Sequence, residues 1–567
     1  MFSSREVKEV VGPTRSDQRR NTFKHGVDKK EARRIRESHT ESIRKKKKDE
    51  QMMAKRRRQS TATNQIGMPP LVNARSKDNQ TLLPYIRKYV SQFESQNHNE
   101  RLTAVSCVRK LLSRNTDPPT QEVIQCGGIK PLIKCLDPRG PTDLQFEASW
   151  ALANIASGTT EQTLLVANSG AIPCFIQLLD SPNAEVRDQA VWALGNFTGE
   201  SEQMRDFIFQ KGGVMKLCRL VPKDLNLMER RHLVQIVWCL SNLCRGTKPF
   251  INPQFVAPMY PYLVHIMKQT QDEEVLRDMI WAWNYISEDI TSLHKAEAII
   301  KSPVCGLLIS YLGKQYSTKI QVPTLRTLGN LIVGSDEQTQ AVLDQGLLRA
   351  LQPLIRHESV LTRKEVFWIL SNIAGGTSAQ IRLLLRANFI DKFIHAIETD
   401  KDIVKREATW ALCNCIHGGT DAQRREILRT KSSKNYQNRS EPLGDCINAL
   451  CIMLEALDVK ILLNVLKTLD FIMLYGDEEA KTNGSFINVY VDQVEMCGGL
   501  DKLESLQSHV NETIYLRVMK ILTCHFERDD QGEHVSTTPA PKVKADTFQF
   551  NPTLPMSTPS VPNQFRF

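Results

Sequence analysis

The chain has 567 residues, 41% of them hydrophobic, and a formal net charge of +11. One globular core does not grow past about 250–300 residues, so this length implies several domains or a repeat array. No run of about 18 uncharged apolar residues occurs, and the opening Met-Phe-Ser-Ser-Arg-Glu has no apolar core, which argues against a membrane span and a secretory signal.

The charge excess lies at the beginning. Residues 1–58 hold 20 Lys and Arg against 9 Asp and Glu, so the whole +11 sits there and the rest of the chain is neutral. Residues 1–60 form an arm too charged and too poor in apolar residues to fold alone. Within it Asp28 is placed to cap a helix running to about Gln51. Two basic clusters stand out, Arg44-Lys45-Lys46-Lys47-Lys48 and Lys55-Arg56-Arg57-Arg58. Such clusters suit nucleic acid, a nuclear address or an acidic partner. Residues 61–80 read as a polar linker.

From 81 to 528 a helical pattern repeats. Each unit has a short helix, a glycine break, a second helix, a turn and a longer third helix. The unit near 160–200 shows it best. Glu161–Asn168 forms the first helix and Gly170 the break, and Pro173 opens the second helix. Ser181-Pro182-Asn183 turns the chain, and Ala184–Phe197 forms the third helix, ended by Gly199. Breaks recur at Gly127, Gly212, Gly346 and Gly498. A period of about 42 predicts an all-α, armadillo-type solenoid of about ten three-helix repeats, wound as a right-handed superhelix. Residues 529–567 revert to Pro, Ser, Thr and Asn and are expected to be a disordered tail. The 14 cysteines are scattered through the apolar patterns without a CxxC pair, as expected for reduced thiols of a cytosolic or nuclear protein.

The third helices carry the functional signal. Tryptophan is followed four residues later by asparagine at Trp150/Asn154, Trp192/Asn196, Trp238/Asn242, Trp368/Asn372 and Trp410/Asn414. Residues i and i+4 share a helix face, and stacking the repeats turns the pairs into a ladder. An indole face attracts cations, and an Asn amide both donates to and accepts from a peptide backbone. A single pair usually means a core aromatic and a satisfied amide. Five pairs at one repeat position favour a binding surface, because packing alone rarely demands Trp. At the centre Trp281 is followed by Tyr285, and Arg326/Asn330 replaces the next pair. The ladder therefore predicts two lysine-rich peptide sites with a spacer between them. At about 3.3 Å per extended residue, two to three ligand residues pass each repeat. Glu200, Glu202, Glu288, Asp289, Asp336, Glu337 and Glu407 are the candidate acids for lysine heads.

A basic arm tethered to a groove for basic peptides implies competition within one molecule. A linker of about twenty residues gives a millimolar effective concentration, so Lys55, Arg56, Arg57 and Arg58 are expected to occupy the groove when the arm is free. The neutral body argues against direct nucleic-acid binding. The chain has no phosphate loop, nucleophile motif or clustered metal spacing, so no enzyme, cofactor or metal is expected, and His417 and His525 read as ordinary helix residues. A scaffold for complexes unrelated to transport is the alternative reading.

Arg19-Arg20-Asn21-Thr22-Phe23-Lys24, Lys55–Arg58, the three segments Trp150-Ala-Leu-Ala-Asn154, Trp192-Ala-Leu-Gly-Asn196 and Trp410-Ala-Leu-Cys-Asn414, Leu328-Gly329-Asn330-Leu331-Ile332-Val333-Gly334 and Gly499–His509 together resemble the importin-α (karyopherin-α) family. The resemblance spans nearly the whole chain. It implies an adaptor shuttling between cytoplasm and nucleus. Its body would bind mono- and bipartite nuclear localisation signals, and its arm would bind importin-β and inhibit the body. An importin-β-class exportin would return it. By resemblance the major site uses Trp150, Asn154, Gly158, Thr163, Trp192, Asn196, Glu200, Trp238 and Asn242. The minor site uses Arg326, Asn330, Trp368, Asn372, Glu407, Trp410 and Asn414. Three places depart from the family pattern: Glu200 stands where an Asp is usual, Thr513–Lys520 is less acidic than expected, and the tail lacks a dense acidic run.

Overall fold

A computed structural model describes residues 79–114, 117–245, 252–288, 293–431, 444–485 and 487–526. The arm with Lys55–Arg58, nearly all of the linker, Asp289 and the tail lie outside the described residues. Among those described, every regular element is helical. Ten long helices mark ten stacked units, as the period predicts. We number them α1 (His98–Leu112), α2 (Thr142–Ile155), α3 (Ala184–Glu200), α4 (Arg230–Leu243), α5 (Glu273–Ser287), α6 (Thr318–Ile332), α7 (Val360–Ala374), α8 (Asp402–Gly418), α9 (Val459–Thr482) and α10 (Glu512–His525). Each packs on the next, so the core runs lengthwise as one ladder of helices, and the shorter helices of each unit pack around it.

Local chemistry explains the unit. Six of the ten long helices open on a side-chain cap: the Asn183 side chain accepts from the amides of Glu185 and Val186, and Asp458 and Asn511 likewise accept from the first amides of α9 and α10. In six units the break between the two short helices is a left-handed residue. Gly170 adopts φ 92°, and in the eighth unit Asn388 takes the same role at φ 54°, a conformation asparagine tolerates better than most residues. After a long helix, four of the units restart on a capping box. Thr159, Ser335, Thr377 and Thr420 each cap a short helix whose third residue is Gln162, Gln338, Gln380 or Gln423, which bonds back to the cap amide. Below the surface the stack is aliphatic, with Leu152, Leu194, Leu240, Leu328, Leu370 and Leu412 fully buried.

All 14 cysteines are free thiols, and Cys524 alone is exposed. Burial pushes the Cys135 thiol up to about 11 and Cys218 to about 12, so these thiols stay protonated and inert near neutral pH.

Candidate peptide-binding ladder

The ladder begins with a fit between an indole and a small residue. A Cβ on Gly195 would fall 2.3 Å from Cζ3 of Trp238, and one on Gly329 would fall 2.0 Å from Cζ3 of Trp368. Each ring therefore lies against the preceding long helix, at the residue just before that helix's ladder Asn. Ala153, Ser241, Ser371 and Cys413 keep the same position small in other units. This seating encloses the rings. Trp150 is 3% exposed and Trp410 8%, while Trp368 and Trp281 are half-buried. The indoles are thus fixed by packing: Trp192 and Trp410 belong to the continuous hydrophobic core, and Trp281 and Trp368 keep the most exposed ring surface. Trp281 stacks on Tyr285 at 5.8 Å, and Trp283, the one tryptophan off the ladder position, is fully buried against Tyr260.

The asparagines are tied in a recurring way. Nδ2 of Asn196 donates to the Ala153 carbonyl (3.3 Å), Asn242 to Gly195 (3.1 Å) and Asn414 to Ser371 (2.9 Å). Asn154 and Asn330 donate to the hydroxyls of Ser113 and Ser287, and Asn372 donates to its own helix at Trp368. Five of the six amides thus reach back one unit. One N–H is spent on holding each rung, and the carboxamide orientation is set. The Oδ1 atoms of Asn196 and Asn414 have no hydrogen-bond partner among the described residues. A buried acceptor in that state costs about 1–3 kcal/mol, which a donor from a bound backbone would recover.

Gly158, Thr163 and Glu200 converge on the junction after α2. The Thr163 hydroxyl is buried and donates to the carbonyls of Ala156 (2.8 Å) and Thr159 (3.1 Å), closing the turn. Gly158 is bare because a Cβ there would lie 1.9 Å from Oε1 of Gln162, the capping-box side chain. Glu200 ends α3, and its Oε1 accepts from the Thr160 hydroxyl at 2.6 Å. The carboxylate is thus steered towards the Gly158 turn of the preceding unit.

The central interruption is an ion pair. Arg326 Nε donates to Oε1 of Glu365 at 3.0 Å, and Glu365 is only 3% exposed. The first block starts the same way. Arg109 makes two bonds to Glu147 (2.6 and 3.0 Å), and its guanidinium lies 4.3 Å above the Trp150 ring. In both blocks the glutamate sits three residues before the first Trp. Glu407 holds that same place before Trp410 and is buried. Burial pushes its carboxyl up to about 7, with Glu365 and Asp458 adding to the rise and Lys364 and Arg406 opposing it. A carboxyl poised near neutrality is ready to ionise for an incoming ammonium.

The far end is also closed by local cations. Arg424 stands 4.8 Å from the Phe471 ring and 4.9 Å from Tyr475, and His417 packs on Phe471 at 4.8 Å. His525 is the last residue of α10 and is buried against Asp470 at 3.2 Å. Sequence reasoning missed Arg109, Glu147 and Glu365, although the recurrence of a glutamate three residues before a ladder Trp, at Glu147 and Glu365, was a usable signal. Of the other candidate acids, Asp336 and Glu337 open the short helix Asp336–Asp344, Glu202 opens Glu202–Gln210, and Glu288 caps the end of α5. Among the described residues no His, Cys, Asp or Glu group is arranged to hold a metal ion, and no helix is long and apolar enough to cross a membrane.

Three family models match the chain. An importin beta binding domain covers residues 19–106, armadillo/beta-catenin-like repeats cover 116–157, 159–199, 335–375 and 377–417, and an atypical Arm repeat covers 488–541. Importin subunit alpha-1b of Oryza sativa subsp. japonica is 36% identical, aligned over 91% of this chain and 93% of its own. Importin subunit alpha-3 of Arabidopsis thaliana is also 36% identical, over 98% of both chains. An engineered protein of known structure superposes with a TM-score of 0.63 over 77% of this chain and 98% of its own, at 20% identity, a likeness of fold alone.

Proposed function

The chain belongs to the importin-α family, and from that premise we propose that it is a nuclear import adaptor whose ladder holds lysine-rich localisation signals and whose arm recruits importin-β. The observation that carries this reading is the pair of unpartnered amide oxygens on Asn196 and Asn414, one in each block. Each belongs to a side chain whose N–H is already committed to the neighbouring unit. Such an amide is set to accept from an extended backbone, while the indoles flank the aliphatic stems of lysines. The first block, Trp150 to Asn242, takes the major cluster with Glu200 as its acid. The second, Trp368 to Asn414, takes the minor cluster with Glu407.

In this reading the basic arm occupies the groove when importin-β is absent, with Lys55–Arg58 as the competing segment. Importin-β captures the arm and uncovers the ladder, which requires only mass action. An importin-β-class exportin returns the empty adaptor, which therefore cycles between cytoplasm and nucleus. No catalysis, cofactor or nucleic-acid contact enters the scheme.

The test is a titration of a fluorescent lysine-rich signal peptide against the full chain and against a chain beginning at Pro69. The shortened chain should bind at least about tenfold more tightly, and importin-β should bring the full chain to the same affinity. Equal affinities without importin-β would remove the arm's inhibitory role.

A further inference from the structure

The end of the stack exposes an apolar face. Counted from the cap residue, the eighth and twelfth positions of a long helix turn towards the following unit. They are Val191 and Gly195 in α3, Phe367 and Ser371 in α7, and Leu466 and Asp470 in α9, all buried. Gly195 lies under Trp238, and Asp470 is engaged by Lys520 and His525 of α10. In α10 the same positions are Met519, half-buried, and Thr523, exposed. With Tyr515 at 40% and Leu516 at 58% exposure they form one stripe at helical spacing. The position matching Tyr515 in α9 is Leu462, which is 2% exposed because a further unit follows it. In the same last unit Ile487 is 62% exposed and Met496 76%. A solenoid's terminal unit ordinarily carries a polar outer face, and this one does not.

We propose that the chain's own tail, through residues 546–556, docks on the α10 face and completes the stack. That segment reads Asp-Thr-Phe-Gln-Phe-Asn-Pro-Thr-Leu-Pro-Met and places Phe548, Phe550, Leu554 and Met556 in a tail otherwise rich in Pro, Ser and Thr. Phe526 and Phe548 are separated by 22 positions. A flexible chain of that length has a mean span of roughly 25 Å, close to the ~21 Å length of α10. The tether therefore holds the segment near the face at millimolar effective concentration. Phe548 and Phe550 stand two positions apart, so bound as an extended strand the segment would present both aromatics to the stripe together.

The experiment compares the full chain, a chain ending at residue 530 and the double variant Phe548→Ser/Phe550→Ser by amide hydrogen exchange. Both changes lie outside the stack, so folding of the ten units is not at stake. Tyr515–Cys524 should exchange several-fold faster in the shortened chain and in the double variant than in the full chain, with α3 unchanged. A second arm places a photoreactive group by Leu516→p-benzoylphenylalanine in the full chain at micromolar concentration. Cross-links should map to residues 546–556 of the same molecule. Equal exchange in all three proteins would overturn the proposal. So would cross-links that reach another copy and rise with concentration, which would make the face a contact between copies.

Discussion

Gly195 and Gly329 show how little room the ladder leaves. Gly329→Ala would place a methyl inside the ring of Trp368. It should cost about 1–3 kcal/mol of stability and tilt the indole out of line, read as a lower Tm and weaker peptide binding in the second block. Arg326→Ala tests the other kind of rung. It leaves the buried Glu365 carboxylate with Lys364 at 3.5 Å, so the loss of stability, read by denaturant titration, should fall below the about 3–5 kcal/mol of a buried charge left wholly unpaired. Changing Trp192 and Asn196 together to Ala should weaken signal-peptide binding by about 1–3 kcal/mol. Glu407 makes the second block pH-sensitive. Its folded value of about 7 stands above the 4.5 of a free side chain, so folding favours the protonated form. The cost of ionising it is absent below pH 4.5, grows as pH rises and is complete above about 7. A lysine ammonium offsets that cost, so peptide affinity for the second block should rise from pH 6 to pH 8, with proton release seen by calorimetry in buffers of different ionisation heat. Glu407→Gln should flatten the profile. The Trp and Asn positions were legible because a 42-residue period is visible in the letters. Glu407 could be named from the sequence, but its raised carboxyl could not, because that follows from burial and from the charges of Glu365 and Asp458, which the stacking brings near.

At the scale of the element, the junctions do most of the specifying. The Thr159 and Gln162 box pins the start of one short helix and forces a glycine at 158. Gly158→Ala should displace the Gln162 side chain and cost about 0.5–2 kcal/mol, measured by denaturant titration. The α9 to α10 junction is electrostatic. Asp470 receives Lys520 at 3.0 Å and His525 at 3.2 Å. The His525 hydrogen bond, with Lys520, holds its carboxyl down to about 2 against burial. A lowered carboxyl stabilises the fold above its free value near 3.8, and that contribution is lost as pH falls towards 2. Asp470→Asn should loosen α10 selectively, seen as faster amide exchange in Glu512–His525 with α2 and α3 unaffected. The three-helix unit was readable from its glycines and turns. The four capping boxes were equally present as Thr or Ser followed three residues on by Gln. The Asp470 cluster was not, since its members lie about fifty positions apart and meet only through stacking.

At the largest scale, a stack without a globular centre explains how the ten units between residues 79 and 526 share one continuous core. The count of about ten units followed from dividing length by period. The arm and tail lie outside the described residues, and what is expected of them rests on composition alone. The wide gap between the two ladder blocks has a metric consequence. From the Trp238 rung to the Trp368 rung there are three steps between long helices, each about 8–10 Å. A chain bridging that roughly 25–30 Å needs about eight or nine extended residues. If the two blocks hold peptide as proposed, the solenoid works as a caliper. A cargo tag with its basic clusters closer together than this should grip at one jaw only and lose the avidity of the second.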